Sequence, residues 1–304
     1  MSFSARPPQA PTSTGSRRPS PLLLTIIAVL ALVALFVVFA QIYTEVLWFQ
    51  QLERFDVFAT EWVAKGALFA IGFVLMAAPL WFMLFHAHRT RPTITPSNPR
   101  EENLDRYREA VEPLRRTLTY AIPAVIGLLG GVALSAAWQD ALLLLNGVPF
   151  GETDPQFSND VGLYVFTLPM VNILIDFLGM IALLSFVASI VAHYLFGGVR
   201  PRETRGFDIT RSARIQLATV LAVLVLIQAA RLFLSRFGTL TDDSGLVTGA
   251  TYTDVNAALP AMLIVSIAAL LVAALVFSTA YFKSFRLTAI SLGMLLVLGG
   301  VAVV

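Results

Sequence analysis

The 304-residue chain contains no cysteine. Disulfides, thiolate metal sites, cysteine nucleophiles and cysteine-ligated clusters are excluded, and cysteine usage says nothing about the redox compartment. Charge is almost as scarce: Asp, Glu, Lys and Arg make up 13% of the residues, against roughly 25% in a soluble domain. The 21 basic and 19 acidic side chains leave a formal charge of +2, so no basic face for nucleic acid is expected. There are three histidines. His86 and His88 stand two residues apart, point in different directions on a helix and make a poor metal pair. With His193 they are read as interface residues at the cytoplasmic ends of their spans. No HExxH, P-loop, GxSxG or Rossmann fingerprint stands in a suitable context. The expectation is of no enzyme, no catalytic residue, no cofactor and no bound metal.

Apolar residues fill the space that charge leaves. They amount to 57% of the chain, the mean hydropathy is +0.77, and they come in blocks of about twenty, enough to cross a ~30 Å hydrocarbon core. Seven such stretches lie at about 22–39, 62–85, 118–138, 170–196, 215–234, 259–282 and 287–304. None has the period-two alternation of a barrel strand. The predicted fold is all-α, a polytopic transmembrane bundle of about seven helices. The first stretch follows Arg6, Arg17 and Arg18 but is too long for a signal-peptide core and lacks a small-residue cleavage site, so it is read as an uncleaved anchor. Residues 1–20, with Pro7, Pro8, Pro11 and Pro19, read as a disordered basic tail, leaving 21–304 as the membrane domain. All but four of the lysines and arginines fall in that tail and in the second, fourth and sixth connections, the exceptions being Arg54, Lys65, Arg231 and Arg236. Basic residues are retained inside, which predicts a cytoplasmic N-terminus, an external C-terminus and a multi-pass plasma-membrane location.

The outer connections are acidic, with Glu152, Asp154, Asp160, Asp242, Asp243 and Asp254 among their side chains. They read as solvated carboxylates, or alternatively as a field that gathers cations. Glu152, Asp154, Asn159 and Asp160 do not have the spacing of an EF-hand loop. On the opposite face, Leu104, Tyr107, Val111 and Leu114 recur at helical spacing within Glu101 to Arg116, a helix expected to lie along the inner membrane surface. Two outer segments carry turn chemistry and then aromatic residues. The first runs Phe150-Gly151-x-x-Asp154-Pro155-Gln156-Phe157-x-x-Asp160 and continues to Tyr164-Val165-Phe166-x-Leu168-Pro169, where Pro169 suits the first turn of a helix. The second is Gly249-Ala250-x-Tyr252-Thr253-Asp254-Val255-Asn256-Ala257, in which Asp254 or Asn256 is expected to cap the following helix.

These two segments, together with Tyr43-Thr44, Leu47-Trp48-Phe49 and Val57-Phe58, resemble uncharacterised protein family 0182, integral membrane proteins of bacteria. The likeness runs from about Leu22 to the end. It implies seven N-terminal helices followed by a large extracytoplasmic region, with no assigned activity and no catalytic residues to carry over. The chain given ends at Val304, so the expectation is either a short member or the membrane portion of a longer protein. Phe150, Gly151, Asp154, Pro155, Asp160, Tyr252, Asp254 and Asn256 are the candidate outer-loop residues.

Ionisable groups within the spans are few, and each costs at least ~2.5 kcal/mol to insert. Asp176 on the fourth stretch and Arg231 on the fifth both lie toward the outer leaflet. They either approach and neutralise one another, or Arg231 snorkels while Asp176 meets interfacial water. Gly127, Gly131, Ser135 and Gln139 repeat every four residues as a packing seam. Ala182, Ser185, Ser189 and His193 form a similar face. Two functions remain open on these residues. One is a membrane anchor or assembly domain facing an outer protein partner or extracytoplasmic region. The other is a transporter or channel for a small solute, cationic or neutral, with Asp176, Arg231, Gln228 and Gln139 along its path. The transporter reading is the weaker, because the inner halves of the spans show little polarity beyond serine.

Overall fold

The computed structural model describes residues 21–92, 115–201, 207–243 and 249–281, with 289–290, 293–294 and 297. The tail at 1–20, nearly all of the surface helix expected at Glu101 to Arg116, and most of the stretch at 287–304 lie outside the described residues. The chain divides into two compact units, residues 1–60 and 61–304.

In the first unit, α1 (Pro21–Gln51) runs for 31 residues. It is apolar on every face, and none of its most hydrophobic window is buried against protein, the pattern of a helix whose solvent is lipid. The chain then reverses through Leu52 to Arg54. Glu53 takes a left-handed φ of 58°, and Arg54 N–H returns to Phe49 O. Phe49 stacks edge-on to Trp48 at 4.8 Å and packs against Phe58, which also meets Phe55.

The second unit takes up the rest of α2 (Phe55–Arg89), then α3 (Arg115–Ser135), α4 (Trp138–Leu145), α5 (Leu168–Leu195), the hairpin β1 (Val199–Pro201) and β2 (Phe207–Ile209), α6 (Arg211–Gly238) and α7 (Leu259–Ser278). Among the described residues, six helices are long and apolar enough to cross a membrane. Several outrun the stretches read from hydropathy: 62–85 becomes Phe55–Arg89, and 215–234 becomes Arg211–Gly238. Helical hydrogen bonding does not stop where hydrocarbon stops. In the other direction, the stretch at 118–138 ends early. The helix stops at Ser135, and Trp138 opens α4 after a two-residue break, so Gln139 leaves the stripe of Gly127 and Gly131.

Gly127 and Gly131 do form a packing seam, against α2, and two further glycines belong to it. A Cβ on Gly131 would lie 2.8 Å from Phe69 O, one on Gly127 2.8 Å from Ala77 Cβ, one on Gly130 2.8 Å from Met76 Cβ, and one on Gly72 2.8 Å from Gly130 O. Small residues bring two backbones this close in a membrane, where dispersion contacts hold helices together. Beside the seam, Met76 and Leu80 of α2, Leu134 of α3, and Met170, Phe177 and Ile181 of α5 form one core. A second core joins α6 to α7 through Ala222, Val225 and Ala229 against Ala269, Val272, Ala273 and Val276.

Both α5 and α7 begin with a π-helical turn, Leu163–Thr167 and Asp254–Ala258, followed at once by Leu168-Pro169 and Leu259-Pro260. The ring of a helical proline clashes with the carbonyl four residues earlier. Widening the preceding turn, so that Leu168 N–H reaches Leu163 O and Leu259 N–H reaches Asp254 O, accommodates it.

Candidate functional site

The connection between α4 and α5 is a folded loop organised by two aspartates. Asp160 accepts hydrogen bonds from the N–H groups of Phe150 (3.1 Å), Gly151 (2.9 Å) and Gly162 (2.7 Å). Asp154 accepts from the N–H groups of Gln156, Phe157 and Asn159 and from Tyr164 Oη. Pro155 follows Asp154 as the second residue of the turn 154–157, where its fixed φ fits. A bridge pairs Thr153 with Asp160. Gly151 holds φ at +76°, and Gly162 has no room for a Cβ, which would meet Asp160 Oδ1 at 2.8 Å. The loop is pinned to the end of α6: Phe157 packs on Phe237 at 4.8 Å, and the Arg236 guanidinium lies over both Phe157 and Phe233. Phe150 stacks on Phe166. These carboxylates thus fold their own loop.

Partial burial works against the charge on Asp154, but the N–H groups of Phe157 and Asn159, the Tyr164 hydroxyl and Gln156 N–H outweigh it and hold its pKa below the usual value. Asp160 is lowered too, by the N–H groups of Phe150, Gly162 and Gly151. A depressed folded-state pKa stabilises the fold above the unfolded value and loses that contribution as pH falls through the folded one. Protection of the Gly151, Phe157, Asn159 and Gly162 amides should therefore hold from pH 8 to 5 and collapse only below about pH 4. Loss of protection near pH 6 would contradict this account.

The second segment behaves differently from its sequence reading. Thr251 opens the lead-in to α7 and exchanges hydrogen bonds with Asp254: Thr251 N–H and Oγ1 donate to Asp254 Oδ2, and Asp254 N–H returns to Thr251 Oγ1. This is a capping box with Thr251 as the cap, in place of Asp254 or Asn256. Asn256 Nδ2 donates back to Tyr252 O, and the Tyr252 ring is 83% exposed.

On the same half of the bundle, Arg231 Nε lies 3.2 Å from Asp176 Oδ1, with both side chains more than half exposed. Asp176 also lines a groove of about 530 Å³ between α3 and α5, otherwise walled by apolar side chains and Gly130.

At the opposite, arginine-rich end lies a cluster that sequence reasoning missed. His193, expected at an interface, is 2% exposed. Its Nε2–H donates to Gln216 Oε1 at 2.9 Å, while Gln216 Nε2 donates to Ser189 Oγ (3.0 Å) and Met83 O (3.2 Å). Ser189 Oγ in turn donates to Ser185 O. Four hydrogen bonds thus join α2, α5 and α6 in a buried network, beside which Ser212 Oγ stands 3.4 Å from His86 Nε2. The chain closes over it because Gly197 takes φ +76° and Gly198, whose Cβ would fall 2.6 Å from His193 Nδ1, carries no side chain. Gln216 lies inside a stretch that reads as apolar, so only its being the sole amide near that end of the helix could have flagged it. Among the described residues no three His, Asp or Glu side chains converge to hold a metal ion.

Among the described residues, six helices long and apolar enough to cross a membrane, with a folded loop and a buried polar junction between them, are the architecture of a multi-pass α-helical membrane protein. The chain belongs to the uncharacterised protein family UPF0182, whose profile matches residues 22–304. It is 41% identical over 295 residues to a UPF0182 protein of Kocuria rhizophila, covering 97% of this chain and 30% of that one. A UPF0182 protein of Leifsonia xyli is 38% identical, covering 92% and 28%. One of Thermobifida fusca is 37% identical, covering 99% and 30%. The chain thus spans less than a third of the length of these curated relatives. No solved structure matches.

Proposed function

We propose that these residues form the membrane domain of a bacterial plasma-membrane protein, crossing seven times with the N-terminus in the cytoplasm and the C-terminus outside. On this reading it works without catalysis, as an anchor that presents shaped outer loops to an extracytoplasmic protein region or partner. The observation that carries the reading is the loop at 147–162. Two aspartates and an Arg236–Phe157 clamp fix its backbone while Phe150 and Val148 stay exposed. A rigid loop with uncovered apolar residues suits docking better than solvation. The absence of cysteine from these 304 residues makes topology directly testable with this chain expressed by itself, since each introduced thiol is then its only one. In intact cells, Glu152→Cys and Tyr252→Cys should react with a membrane-impermeant maleimide, and Arg200→Cys only after permeabilisation. The reverse pattern would refute the orientation.

A second reading, passage of a small cation, draws support from the His193, Gln216 and Ser189 network, which gives the arginine-rich half more polarity than its sequence implied. Cation flux in proteoliposomes that disappears in Gln216→Leu would favour it over the anchor.

A further inference from the structure

The groove between α3 and α5 combines three features that a bare lipid-facing surface lacks. Its walls are apolar along their length, from Ile126 and Leu184 at one end to Ile173 at the other, with the one carboxylate, Asp176, toward the Ile173 end. The eleven-residue step from Ile173 to Leu184 rises about 16 Å, close to half the ~30 Å hydrocarbon core. Its volume, about 530 Å³, lies in the range of small-molecule sites, ~300–1,000 Å³. At the polar end Arg231 Nε stands 3.2 Å from Asp176 Oδ1. Both side chains are more than half exposed, which leaves the outward-facing atoms of the carboxylate and the guanidinium open to a ligand. A ligand that satisfied both would carry a cation and an anion a few ångströms apart, on an apolar tail one leaflet long.

We propose that this groove binds a single phospholipid bearing an ammonium and a phosphate, its acyl chain lying from Ile173 toward Leu184, its ammonium on Asp176 and its phosphate on Arg231. A second protein helix in the same place would bury both charged groups without answering them. The occupant sits in the leaflet nearer Asp176, and the site depends only on the chain being in a membrane.

The test is photolabelling of the full chain in vesicles containing phosphatidylethanolamine with a diazirine in its acyl chain. Leu129 and Met180, exposed beside the groove, should carry about fivefold more label than Leu30 and Leu35 of α1, which face lipid without a groove. Phosphatidylglycerol with the same diazirine has the phosphate but no ammonium, and should label the groove about fivefold less, the ratio that ~1 kcal/mol of headgroup preference gives. Asp176→Asn should erase that preference by bringing the phosphatidylethanolamine label in the groove down to the phosphatidylglycerol level. Ala133→Trp, at an exposed groove position away from α2, should bring groove label down to the α1 level. Met180→Trp serves the same end if the first variant misfolds. Equal labelling of groove and α1 by both lipids, or groove label indifferent to all three substitutions, would overturn the proposal. So would Leu129 and Met180 shielded from every lipid but cross-linked to a second chain.

Discussion

Gly72→Ala should destabilise the second unit by about 1–3 kcal/mol, the usual cost of forcing a methyl group into a packed interface, although alanine is the better helix former. The new Cβ would stand 2.8 Å from Gly130 O and 2.9 Å from Leu134 Cβ. Neither is the movable tip of a side chain, so relief requires α2 and α3 to part. The partner substitution Gly131→Ala meets Phe69 O at 2.8 Å and should cost a similar amount. The two should couple non-additively, because once the helices have separated for one methyl the second finds space. Gly66 provides the control. It lies on the same helix, and its Cβ would meet nothing within 4 Å, so Gly66→Ala should stabilise by up to ~1 kcal/mol through helix propensity alone. The measurement is the midpoint of unfolding in SDS titration of the purified chain. Equal shifts at Gly66 and Gly72 would mean that the seam plays no part in stability.

Gln216→Leu should have an effect of similar size at the other end of the bundle. An average interhelical hydrogen bond in a membrane protein contributes only ~0.6 kcal/mol. Here the substitution leaves His193 Nε2–H buried with no acceptor, a penalty of about 1–3 kcal/mol, and removes a donor from Ser189 Oγ. The asymmetry offers a diagnostic. In Gln216→Leu/His193→Leu the stranded donor is gone as well, so the double variant should unfold closer to wild type than the sum of the single losses. Simple additivity would show that the two side chains are not coupled. The same titration midpoint reads both singles and the double.

These two sites mark how far the sequence could be read. Hydropathy located the long helices because a span must be apolar over about twenty residues whatever its neighbours. The Gly127 and Gly131 stripe was visible because helix packing leaves a period of four in one segment. Gly72, their counterpart across the interface, has no such periodic company on α2. The end of α3 at Ser135 was not visible either, since Ala136, Ala137 and Trp138 include neither glycine nor proline. The His193–Gln216 hydrogen bond joins residues 23 apart across the hairpin β1–β2, and nothing local to either residue reports the other. In the loop at 147–162 the residue types were legible as turn chemistry, but their roles were not. Asp154 and Asp160 look like solvent-facing acids in one dimension and turn inward once the backbone curls around them. The cap of α7 was misassigned for the related reason that Asp254 takes its hydrogen bonds from Thr251, behind it in the chain. The approach of Asp176 to Arg231 was legible only as one of two alternatives, since depth along two helices does not fix the faces they share, and the 3.2 Å contact decides between them.

The length of α1 bears on how its unit meets the surroundings. From Phe39, where the apolar run closes, the helix continues unbroken to Gln51, about 18 Å further along its axis. The aromatic group of Trp48, Phe49 and Phe58 therefore rides at the tip of a stiff mast. A lean of about 20°, ordinary for a membrane helix, would swing that tip sideways by about 6 Å. Bilayer thickness, by setting the lean, would then steer where those rings stand above the lipid.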